Sequence, residues 1–122
     1  MTNAAINHAL AEALGYRVVY DPTSGPLWDA GWELRRADGA LIDCGDTEAQ
    51  TWALAPDFCQ DWAAMGELWA WLNGQGLDVY MESFQDAQAA AQVDAVFGYG
   101  DIPPLALARA AVAWLQAREA GP

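Results

Sequence analysis

One histidine, two cysteines and 17 carboxylates are the side chains of this sequence whose types suit chemistry. A hydrolytic or transfer site needs a nucleophile, a base and an oxyanion donor that converge on one point. His8 is the sole imidazole and sits between Asn7 and Ala9 in an N-terminal helical segment, where an exposed helix residue is expected rather than a general base. Cys44 and Cys59 have no zinc-motif spacing, and one histidine cannot complete a zinc or copper ligand set with them. They read as two reduced, partly buried thiols. Gly98-Tyr99-Gly100 lacks the lysine and the Ser/Thr of a phosphate loop. The expectation is a protein that is not an enzyme, with no catalytic residue, no metal and no cofactor.

The carboxylates point to binding instead. Asp43, Asp46 and Glu48 follow a hairpin pattern and suit turn chemistry, while Asp57 and Asp61 lie one helical turn apart where a helix N-cap is expected. Asp78, Glu82 and Asp94 fall on extended segments further along. The net charge is −12, all five cations are arginines and no lysine occurs. A polyanion would be repelled, because phosphate binding rests on Lys/Arg counterion release, so no direct nucleic-acid ligand is expected and a basic protein partner is favoured. A domain of this length has a diameter of roughly 35 Å, enough to span a duplex segment of about twenty phosphates. An acidic surface of that size suits the nucleic-acid groove of another protein.

Seven Trp are more than the apolar stripes absorb, and exposed Trp is an interface anchor. The expected partner-binding set is therefore Asp43, Asp46, Glu48, Asp78, Glu82, Asp94, Trp28 and Trp52. A second reading is a small-molecule sponge, in which Trp28 or Trp52 stacks a base while Arg35, Arg36 or Arg109 holds a phosphate. A third is a self-assembling structural protein. Homodimerisation through the helix from Trp62 to Trp71 is the oligomeric expectation.

The elements that must position these residues follow from periodicity. Ile6, Leu10 and Leu14 recur every four positions and Gly15 follows as a left-handed cap, giving a first helix. Tyr16 to Tyr20 reads as a strand that ends at Asp21-Pro22, and the loop beyond carries Leu27 and Trp28 back onto the body. Trp32 and Leu34 alternate with Glu33 and Arg35, Asp38-Gly39 marks a turn, and Leu41, Ile42 and Cys44 complete a hairpin. Gly45 to Phe58 reads as irregular. A helix then places Trp62, Met65, Trp69 and Leu72 on one face. Val79 and Met81 alternate with Asp78, Tyr80 and Glu82, and a weaker run follows at Val93, Ala95 and Phe97. The Ala/Gln-rich connection from Gln85 to Gln92 is open to a helical reading. Pro103-Pro104 opens a last helix with a stripe at Leu105, Ala108, Ala111, Val112 and Leu115. The order α-β-β-β-α-β-β-α implies a single α+β domain over residues 1–122, a helix/antiparallel-sheet/helix sandwich. No membrane span or signal segment is seen, and a cytoplasmic location in a bacterial host cell is expected.

Two segments carry a family resemblance. Ala55-Pro56-Asp57-Phe58 leading into Trp62-Ala63-Ala64 and Leu68, and Pro103-Pro104-Leu105-Ala106-Leu107-Ala108-Arg109-Ala110-Ala111, resemble the phage ABA sandwich domain family, whose opening also fits the first helix running into Gly15-Tyr16-Arg17-Val18. The resemblance implies a phage or prophage origin and the same sandwich, but no catalytic set. Joined to the acidity, it leads to the expectation of an accessory protein that acts by binding. That protein would be an anti-defence inhibitor of the anti-CRISPR kind, directed at a basic host or defence-system protein.

Overall fold

The computed structural model describes residues 1–22, 31–84 and 88–120. In chain order the elements are α1 (Asn3–Ala13), β1 (Arg17–Asp21), β2 (Gly31–Arg35), β3 (Leu41–Gly45), α2 (Glu48–Trp52), α3 (Trp62–Gly74), β4 (Val79–Phe84), β5 (Gln88–Val93), β6 (Val96–Gly100) and α4 (Pro103–Ala120). The fold is mixed α+β, with two three-stranded antiparallel sheets, β1-β2-β3 and β4-β5-β6. The chain divides into two compact units, one of Met1–Leu10 with Asp57–Pro122 and one of Ala11–Pro56.

In the Ala11–Pro56 unit, α1 closes with a Schellman cap. Gly15 takes φ 96°, its N–H donates to the Glu12 carbonyl at 3.0 Å, and the Tyr16 N–H donates to the Ala11 carbonyl at 2.9 Å. The β2–β3 turn is fixed by Gly39 at φ 89° and by the Asp38 carboxylate, which accepts from the Ala40 N–H at 2.9 Å. Glu33 departs from the alternating pattern: it is buried rather than outward-facing, beside the fully buried Leu34. A carboxylate is tolerated there because Arg35 donates to Glu33 Oε1 from Nε at 3.1 Å and from a terminal nitrogen at 2.9 Å. The segment read as irregular contains α2. Thr47 is its N-cap, accepting from the Gln50 N–H at 3.1 Å, and the helix lies on the first sheet with Thr51 buried against Gly45.

In the other unit, Asp61 caps α3 by accepting from the Ala63 N–H at 2.9 Å. Asp57 does different work. Its Oδ1 accepts from Asn7 Nδ2 at 2.9 Å and from the Cys59 N–H at 3.2 Å, clipping the start of α1 to the approach to α3. The buried side of α3 is Ala64, Leu68 and Leu72; Trp62 of the expected face is exposed, with Met65 and Trp69 half-buried, because the aliphatic row fits the interior and the large indoles settle at its margin. Trp71 meets Trp114 of α4 edge-on, with ring centroids 6.3 Å apart.

The late region holds three strands where the pattern suggested two, because the Ala/Gln stretch is the central strand β5. Residues 89, 91 and 93 of β5 are buried under α4, whose own buried set is Pro104, Ala106, Leu107, Ala108, Ala110, Ala111 and Val112. Asp94 and Ala95 form a two-residue turn, since Val93 pairs with Val96. Asp94 has φ 54°, a left-handed conformation that costs a residue with a Cβ. Asp94→Gly should therefore leave stability unchanged or raise it by about 0.5 kcal/mol, whereas Asp94→Val should lower it by about 1–2 kcal/mol. Urea denaturation of the two variants checks both signs.

Candidate functional site

The surface that collects the most chemistry is the outer face of the β4-β5-β6 sheet. Alternation along antiparallel strands sends every second residue to one side. Register then aligns them in rows: Tyr80 pairs with Gln92, which pairs with Phe97, and Glu82 pairs with Ala90, which pairs with Tyr99. The inner rows, Val79–Val93–Val96 and Met81–Ala91–Gly98, lie toward α4. Tyr80, Phe97 and Tyr99 are 61%, 55% and 63% exposed, high values for large rings on a sheet. Phe97, read in sequence as part of the apolar run, faces out because the two-residue turn at Asp94-Ala95 exchanges the parity of inward positions between β5 and β6.

Carboxylates frame these rings. Asp78 precedes β4 on the same parity as Tyr80 and Glu82, and its carbonyl accepts from the Asp94 N–H at 3.1 Å, which brings the two aspartates to one end of the sheet. Glu82 and Asp94 are exposed, as is Asp101 after β6. None of the three strands contains an arginine or lysine. Arg109 of α4 reaches only the backbone here, donating to the Tyr99 carbonyl at 2.7 Å and so occupying an acceptor at the sheet edge.

The expected partner-binding set thus separates. Asp78, Glu82 and Asp94 share this sheet, whereas Asp43 on β3, Asp46 after it and Glu48 in the first turn of α2 belong to the other unit. Trp28 lies outside the described residues. Trp52, half-buried, lines a pocket of about 450 Å³ in the Ala11–Pro56 unit together with Glu12, Tyr16, Arg17 and Val18. None of the arginines expected for a sponge lines this pocket: Arg35 holds Glu33 and the Gly39 carbonyl, Arg109 holds the Tyr99 carbonyl, and Arg36 is exposed at the β2–β3 turn. Tyr80, Phe97 and Tyr99 were not among the expected binding residues, although the alternation of Tyr80 with Val79 and Met81 already marked it as outward.

No known protein family matches the chain, and no curated protein matches it either.

Among the described residues, no group of three or more His, Cys, Asp or Glu side chains is placed to hold a metal ion, and no helix is long and apolar enough to cross a membrane. His8 is half-buried rather than exposed. Cys59 is fully buried, and burial pushes its thiol up from 9.0 to about 11, with the charge of Asp57 adding to the rise and Arg109 offsetting part of it. A thiol that stays protonated is a poor nucleophile. At pH 8 a disulfide reagent should titrate Cys44, which is half-buried, well before Cys59, and both should react in denaturant. Equal labelling of the two in the native protein would contradict the packing around Phe58 and Cys59.

Proposed function

We propose that this protein works by binding rather than by catalysis, presenting the outer face of the β4-β5-β6 sheet to a basic, nucleic-acid-handling protein. The observation that carries this reading is the combination on one face of three large rings, each more than half exposed, with Asp78, Glu82 and Asp94 and with no cation on the strands. Exposed aromatic area supplies interface anchors, and the negative frame steers a positively charged partner and repels nucleic acid itself. An inhibitor that competes with nucleic acid for its partner's basic groove would need both features. The same proposal places it among phage or prophage accessory proteins directed at a host or defence-system protein, on the sequence of the 55–68 and 103–111 segments alone.

The test is affinity capture from bacterial lysate at low and high salt, with the wild type and with Glu82→Lys, followed by competition of the captured protein with duplex nucleic acid. Basic nucleic-acid-binding proteins retained at low salt, lost with Glu82→Lys and displaced by the duplex are the expected result. Partners that are acidic, or whose retention ignores salt, would overturn the reading. A nucleotide in the eluate without protein would shift attention to the Tyr16/Trp52 pocket and the sponge reading.

A further inference from the structure

Building on that reading, we infer that the Glu82–Ala90–Tyr99 row is a receptor for an arginine side chain of the basic partner, selecting arginine over lysine. The three residues stand side by side across three hydrogen-bonded strands. Neighbouring strands are about 4.8 Å apart, so Glu82 and Tyr99 flank Ala90 at roughly 10 Å from one another. Ala90 contributes only a methyl group, which leaves a trough between a carboxylate on one side and a phenol ring on the other. A planar guanidinium fits a space of that width, pairing with the Glu82 carboxylate while its face lies against the Tyr99 ring. An ammonium can make the ion pair but not the planar stack.

The surroundings favour this occupant. Among the described residues, no hydrogen bond or ion pair uses the Glu82 carboxylate, so it is available to a guest. Gln92 sits in the next row between Tyr80 and Phe97, where its amide nitrogen donates to the Asp94 carbonyl at 2.9 Å, so this row adds a pair of rings for the aliphatic stem of the incoming side chain. Arg109 of α4 is committed to the Tyr99 backbone carbonyl at 2.7 Å. A nucleic acid would meet the carboxylate with its phosphates, and a purely apolar partner would leave that carboxylate buried without a partner.

Fluorescence anisotropy with three labelled peptides tests the inference on the 122-residue chain: a short Gly/Ser peptide bearing several arginines, the same peptide with lysines, and the same peptide with uncharged citrullines. The arginine peptide should bind about tenfold tighter than the lysine peptide, the size of one stacked, forked contact. Tyr99→Leu should bring arginine down to the lysine level and leave lysine binding unchanged. Glu82→Gln should weaken both, and Ala90→Met, which fills the trough, should abolish the preference. Thermal melts of each variant confirm folding; Tyr99→Leu changes an exposed ring and serves if Ala90→Met is unstable. Equal affinity for arginine and lysine peptides, or a preference that survives Ala90→Met and Tyr99→Leu, overturns the arginine site. If both cationic peptides still bind better than citrulline in a salt-sensitive way, the broader basic-partner reading stands without it. Binding of all three peptides alike would sink both.

Discussion

Gly98→Val is expected to be the most damaging single substitution in the Asp57–Pro122 part of the protein. A Cβ at position 98 would fall inside the contact radii of the Ala110 backbone nitrogen and the Ala106 carbonyl oxygen, and would stand 2.9 Å from the Ala110 Cα. All three obstructing atoms are backbone of α4, so no side chain can swing aside. The helix must lift from the sheet, and the alanines that seat it at this distance, Ala106, Ala110 and Ala91 among them, would lose contacts as well. Overpacking of this kind costs about 3 kcal/mol or more, a large fraction of a typical domain's stability. A fall in Tm of roughly 10 °C or more should follow. Gly98→Ala should show the same effect at reduced size. Gly66, exposed within α3 with nothing near its missing Cβ, provides the opposite sign: Gly66→Ala should stabilise by about 0.5–1 kcal/mol through helix propensity and a less flexible unfolded chain. Differential scanning calorimetry of the three variants compares them directly.

The close seating of α4 explains why part of the fold was legible in the sequence and part was not. The β2–β3 hairpin was readable because its determinants are local: Asp38-Gly39 supplies both the side-chain acceptor and the positive φ, whatever packs around it. Gly15 as the cap of α1 was readable for the same reason. The stretch Gln88-Ala89-Ala90-Ala91-Gln92 carries the opposite local message, since alanine and glutamine favour helix. It is a strand because it pairs on both sides, with β4 and β6, and because only small residues fit beneath a helix that almost touches the sheet. Tertiary context outweighs propensity there. The helix α2 escaped for a different reason: five residues are too few to show a period, though Thr47 followed three positions later by Gln50 is a capping signature. Glu33 obeyed strand alternation on paper and yet is buried, because Arg35, two residues along the same strand, neutralises it.

The candidate site was legible in its chemistry and not in its assembly. Acidic residues and surplus aromatic rings were evident from composition, and Asp78, Tyr80 and Glu82 shared an outward parity. Which rings would join them depended on the parity change at the Asp94-Ala95 turn, a matter of pairing register that a weak apolar alternation at Val93, Ala95 and Phe97 concealed. Tryptophan drew attention because of its size, but Trp71 and Trp114 pack against each other within the unit, and the exposed rings of the sheet are tyrosine and phenylalanine.

Removing those rings should separate binding from folding. In the triple variant Tyr80→Ser, Phe97→Ser, Tyr99→Ser, each ring lost was more than half exposed, so little buried apolar area disappears. Cross-strand contacts between rows contribute about 0.2–1 kcal/mol each, so three truncations should lower the melting temperature by between a few degrees and about 10 °C and leave the protein folded at 25 °C. Partner retention should respond far more strongly. Aromatic anchors at the centre of an interface cost about 2 kcal/mol or more each when truncated, and even with non-additivity the loss should be on the order of a hundredfold or greater in affinity. Neutralising the frame instead, with Asp78→Asn and Asp94→Asn, should slow association and flatten its salt dependence while leaving dissociation nearly as slow as in the wild type, because rim charges act on encounter and rings on residence. Surface plasmon resonance with the captured partner resolves the two rates. A triple variant that keeps wild-type dissociation would place the interface away from this sheet, and the carboxylates of the Ala11–Pro56 unit, Asp43, Asp46 and Glu48, would become the next residues to replace.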